Sequence, residues 1–142
     1  MVLDKVRLLV AALWAGSLWA VGYLVAPTLF MTLDRTLAGQ VAGSMFHSMA
    51  MLSLGCGAAM GVLLFYATRG WTPKRRRSML LVVVAMVMCT LASHFGIQPM
   101  MAEAKAMAGE AARSRFGMLH GISSGIYLVQ SLLAGWLVWK QA

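Results

Sequence analysis

Apolar residues run along this chain in four long stretches, and the polar positions are gathered into the short segments between them. The first stretch predicts a helix from Val6 to Phe30. A polar connection follows over 31–40 and carries Asp34 and Arg35. A second helix is predicted from Val41 to Ala67, and a third from Ser78 to Gln98, ended by Pro99. Residues 100–115 are Ala-rich and mixed in charge, which suits a helical connection lying on the membrane surface. The fourth helix is predicted from Phe116 to Trp139. A bilayer core needs roughly 20 apolar residues per helix, and each stretch meets that length. The pattern therefore predicts an all-α, integral membrane four-helix bundle. One domain fills 1–142, with helices near 6–30, 41–67, 78–98 and 116–139.

Composition agrees with this pattern. Of 142 residues, 61% are hydrophobic and 11% charged, more apolar surface than a soluble domain of this size can bury. Mean hydropathy is +0.77. Lys5 and Arg7 precede an apolar run, as in a signal peptide, but the run from Leu8 to Phe30 is too long for an h-region and predicts a spanning helix. Small residues recur every fourth position at Ala12, Gly16 and Ala20, and Gly57 and Gly61 form a GxxxG pair. Such spacings let helices approach closely in lipid, in a tight bundle, a homo-oligomer or a larger membrane complex. Trp14 and Trp19 lie toward the middle of their stretch, so packing explains them better than an interfacial belt.

Net charge is +8. In a soluble protein that would suggest nucleic acid; here the cations sit where topology needs them, and no nucleic-acid partner is expected. The segment 68–77, TRGWTPKRRR, holds Arg69, Lys74, Arg75, Arg76 and Arg77. Short basic loops stay in the cytoplasm. Both termini are then cytoplasmic, with Lys5, Arg7 and Lys140 on the same side. Arg35, Lys105, Arg113 and Arg115 fall outside, with three of the four acids, Asp34, Glu103 and Glu110. The expected location is the bacterial inner membrane, multi-pass, with the lipid bilayer as first partner.

The same topology brings the three histidines to one level. His47 lies near the outer start of helix two, His94 near the outer end of helix three and His120 near the outer start of helix four. At ~1.5 Å per residue, all three are about 6–9 Å below the outer boundary. Met31, Met45, Met49, Met100, Met101 and Met118 fall in that layer. Imidazole with thioether suits copper. Two histidines on facing helices also suit a haem iron in a bundle. The structural alternative is that each His bonds a neighbouring hydroxyl or carbonyl and glues helices. Along helix four, His120, Ser123, Ser124, Tyr127 and Ser131 share roughly one face, with Gln130 close to it. Cys56 and Cys89 lie within apolar segments and form no CxxC. Enzyme signatures are missing. There is no carboxylate pair within a span, no GxSxG, no P-loop and no HExxH. No acid lies near Ser123 and His120 to complete a hydrolytic triad.

The segments LWAGSLWAVGYLVAPTLF, AGSMFHSMAMLSLG, FGIQPMM and FGMLHGISSGIYL together resemble the bacterial branch of the transmembrane-protein-205-like family, also catalogued as domain of unknown function 4149. The resemblance covers nearly the whole chain. It implies a four-helix integral membrane protein without an established activity, distantly similar to the CopD-like group. That group includes copper-handling proteins and a haem-dependent protoporphyrinogen oxidase, and animal relatives are linked to tolerance of platinum drugs. His47 and His120 match the family pattern; His94 departs from it, since Asn or another small or polar residue is expected there. No intramembrane Lys matches the oxidase pattern. The expected function is to bind or pass a soft, copper-like metal ion near the periplasmic face. His47 and His120 are the core ligands, with His94, Met49 and Met51 as auxiliaries and Ser123, Ser124 and Tyr127 as a polar stripe. A haem-b redox protein with His47 and His120 as axial ligands is the second expectation, and an accessory subunit of a membrane complex the third.

Overall fold

Each predicted stretch is a helix, and each helix runs further than its apolar run. The computed structural model describes residues 2–68 and 70–141, so Arg69 lies outside the described residues. Four helices are long and apolar enough to cross a membrane: α1 (Val2–Thr32), α2 (Arg35–Tyr66), α3 (Pro73–Ala106) and α4 (Glu110–Trp139). No strand occurs among the described residues. With 30 to 34 residues each, the helices measure about 45–51 Å at 1.5 Å per residue. A hydrocarbon core of ~30 Å is shorter than that, so each helix is long enough to cross one.

Local chemistry sets the breaks. The connection expected over 31–40 shrinks to a bend, because Asp34 caps α2. Its carboxylate accepts from the backbone N–H of Thr36 at 3.1 Å and Leu37 at 3.0 Å. Thr72 caps α3, accepting from the Arg75 N–H at 3.3 Å, and Pro73 opens the helix. Pro99 does not end α3. A π-helical turn at Ala92–Ile97 precedes it, and the helix then continues through Gln98–Ala106. Nor is 100–115 a separate surface helix, since its two halves extend α3 and α4 around a tight turn. That turn holds Gly109 at φ +110°, a conformation that costs glycine little. α1 has a second π turn, Ala20–Val25, before Pro27.

The helices alternate in direction. The start of α1, the α2–α3 turn and the end of α4 therefore meet at one end of the bundle, which holds the basic segment; it is called the basic end below. Buried side chains on α1 are Arg7, Ala11, Trp14, Ala15 and Leu18, spaced three and four apart. All but Arg7 join Met49, Cys56, Met60 and Leu64 of α2, Met79, Val83 and Met86 of α3, and Ala134 and Leu137 of α4 in one core. Trp14 is fully buried, and its indole N–H donates to Ser53 at 3.0 Å. Gly57 makes room for it. A Cβ there would come within 2.5 Å of Val87 and 3.5 Å of the Trp14 ring. Ala12, Gly16 and Ala20 face outward, and α1 packs through Ala11, Ala15 and Leu18 instead.

Candidate functional site

The bundle half away from the basic end joins two of the three histidines. His47 lies early in α2 and His94 in the π turn of α3. Their Nδ1 and Nε2 atoms are 3.1 Å apart, and the ring centroids 5.0 Å apart. One neutral ring donates and the other accepts, as the tautomers dictate. His47 is exposed on the bundle surface and His94 half-buried beside Phe95, whose ring centroid is 4.9 Å from its own. His94 continues the inward stripe of α3, four residues beyond the buried Thr90. The π turn carries it there, just ahead of Pro99. Proline lacks an N–H, and its ring crowds the carbonyl four residues back. A widened turn relieves that crowding, and such turns recur at functional positions.

His120 is not part of this pair. It is exposed and stacks on Phe116, with ring centroids 6.1 Å apart and planes 8° from parallel. The reason is rotation of α4 about its axis. Its inward seam runs through Ala112, Leu119, Gln130, Ala134 and Leu137, and His120 lies one residue off it. The expected polar stripe straddles that seam. Ser123 is half-buried, and the Ser124 hydroxyl donates to its own helix at the His120 carbonyl, 2.9 Å. Tyr127 does point inward and donates to the Leu18 carbonyl at 2.6 Å.

The methionines divide in the same way. Met49 is 5% exposed and belongs to the core, pointing away from His47. Met51 is 42% exposed and lies one helical turn beyond His47 on the same face of α2. No group of three or more His, Cys, Asp and Glu side chains comes together among the described residues. What converges is the imidazole pair alone, with Met51 one helical turn along α2. Two nitrogens 3.1 Å apart, each at about 2.0 Å from a shared ion, subtend about 100°, within the tetrahedral range.

Other polar side chains tie the helices to one another. Arg7 is 3% exposed at the basic end. Its Nε donates to the Gln141 side chain at 2.7 Å, a second nitrogen pairs with Asp4 at 3.2 Å, and the guanidinium lies 4.3 Å from the Trp71 ring centroid. Within the bundle, Gln130 donates to Thr90 at 2.9 Å and Tyr23 to Ser131 at 2.9 Å. The available signal was the polar residue within each apolar run, and it marks helix–helix bonds here.

No curated protein and no solved structure matches the chain. A family model does, the one described as domain of unknown function (DUF4149). It matches residues 9–110, from the first turns of α1 to the first residue of α4. With most of the chain matched, including both histidines of the pair and both proline-linked π turns, this protein belongs to the DUF4149 family.

Proposed function

We propose that this chain is a multi-pass protein of the bacterial inner membrane that binds a soft, copper-like metal ion at the His47–His94 pair without catalysing a reaction. The observation that carries this is the 3.1 Å separation of the two imidazole nitrogens. Two neutral imidazoles suit copper, and the thioether of Met51 adds a soft donor. The pair lies in the bundle half away from the basic end. By the positive-inside rule the basic end is cytoplasmic, with both termini, and the pair is near the periplasmic face. His120 takes no part in this reading, which revises the expected ligand set. Haem has less support, since rings in direct contact leave no space for a porphyrin between them.

The second reading is an accessory subunit in which the same bond joins α2 to α3. It is favoured by the outward stripe of Ala12, Gly16 and Ala20, an unoccupied surface on which another spanning helix could pack. The test is elemental analysis of the detergent-purified chain after loading with reduced copper. Stoichiometric copper lost in both His47→Ala and His94→Ala, and kept in His120→Ala, is the expected result. No copper in the wild type, with His47→Ala and His94→Ala lowering only thermal stability, would replace metal binding by the accessory reading.

A further inference from the structure

The basic end carries a groove that the metal reading does not use. Thr72 and Pro73 fix the start of α3, so four successive cations, Lys74 to Arg77, fan around its first turn at ~100° per residue. Two of them bond back to the protein. Arg75 donates to the Lys140 carbonyl at 3.0 Å, and its guanidinium lies 4.0 Å from the Trp71 ring centroid. Arg76 donates to the Phe65 carbonyl at 3.3 Å, yet its Nε is buried without a hydrogen-bond partner among the described residues. Lys74 and Arg77 are exposed and have no partner among the described residues.

These cations border an apolar trough. A cavity of about 360 Å³ is walled by Leu80, Leu81 and Val84 below and by Trp71, Arg76 and Arg77 above. A second, of about 400 Å³, adjoins it along Pro73, Arg77 and Leu81 and takes in Lys74. The trough thus runs from charge into the apolar span of α3. Among the described residues no unpaired acidic side chain balances it. Asp4 is the one acid at this end among the described residues, and it pairs with Arg7.

We propose that this groove binds an anionic phospholipid, with the phosphate among Lys74, Arg76 and Arg77 and an acyl chain along Leu81 and Val84. Charge complementarity selects the headgroup. A free phosphate has no use for the apolar wall, and a zwitterionic lipid brings no net charge to the cations. Basic pockets beside spanning helices hold anionic headgroups on these grounds.

The test is native mass spectrometry of the full chain in detergent, titrated with dioleoylphosphatidylglycerol or dioleoylphosphatidylcholine. The wild type is expected to hold one phosphatidylglycerol and to bind phosphatidylcholine far more weakly. Each removed cation lowers affinity about fivefold, so the double variant Lys74→Gln/Arg77→Gln loses about thirtyfold. Arg35→Gln, at the opposite end, stays like the wild type. Lys74 and Arg77 are exposed and without a partner among the described residues, and an unchanged helical circular dichroism spectrum confirms folding. Equal affinity for the two lipids, an unaffected double variant, or displacement of the lipid by equimolar inorganic phosphate would each overturn the proposal.

Discussion

Gly22 has no room for a side chain. A Cβ there would overlap Cε1 of Tyr127 and come within 2.8 Å of its Cζ. The Tyr127 ring is held on both sides, by its bond to Leu18 and by edge-on contact with Phe46 at 5.6 Å, so it cannot give way cheaply. Gly22→Ala is expected to lower unfolding free energy by about 1–3 kcal/mol, the usual cost of overpacking. Gly16, with nothing within 4 Å of a built Cβ, provides the contrast. There alanine should be neutral or stabilising by up to ~1 kcal/mol, because it favours the helix. Denaturant titration of the two variants in mixed micelles checks the pair; equal effects would contradict the packing of Tyr127 over Gly22. The two glycines look alike in sequence, since both sit in an apolar run near small residues. The histidines behave the same way. Residue type and approximate depth were legible, while the partner of each ring depended on how its helix is rotated.

Each π turn ends two residues before a proline, Ala20–Val25 before Pro27 and Ala92–Ile97 before Pro99. The physical reason is shared. The missing proline N–H leaves a carbonyl without its helical partner, and the ring needs a wider turn. In α1 the distortion is tied into the bundle. Tyr127 donates to the Leu18 carbonyl, whose α-helical partner would be the Gly22 N–H. A side chain inserted in the helical ladder is a recognised cause of local distortion. Tyr127→Phe removes that link. It should lower unfolding free energy by about 1 kcal/mol and speed amide hydrogen exchange over 18–25. An unchanged exchange pattern there would mean that the proline alone maintains the turn. The prolines are visible in the sequence, and Pro99 by itself predicts the end of a helix. That they are spanned instead follows from π widening, which no apolar periodicity announces.

At the scale of the molecule, the two ends are closed differently. The basic end is tied by Arg7, which links the start of α1 to the end of the chain through Gln141 and to the α2–α3 turn through Trp71. Breaking hydrogen bonds to a buried charged group costs about 2 kcal/mol, so Arg7→Gln should destabilise the whole bundle by roughly that amount. Thermal unfolding monitored by helical circular dichroism measures it. A single, lower transition is expected; an unchanged midpoint would show that the end is held by apolar packing alone. The opposite end is closed by side chains of small volume, with Ala38, Ala42, Ala104 and Ala112 buried, and by the His47–His94 bond.

The sequence by itself determined the four spans, their order and the basic end, because apolar length and cation placement are local quantities that a bilayer reads directly. It also determined that histidines gather in one half. Only the tertiary structure decided which of them meet. A helix can turn about its axis without changing its length or its hydropathy, and packing of Trp14 against Gly57 and Ser53 and of Tyr127 against Gly22 fixes that turn. In this way His94 came to face His47 while His120, one residue off the seam of α4, was left on the surface. For the same reason Ala12, Gly16 and Ala20 lie outside although their spacing suits an interface. Small size permits close approach, but the larger buried area of Trp14 and Leu18 determined which face of α1 turned inward.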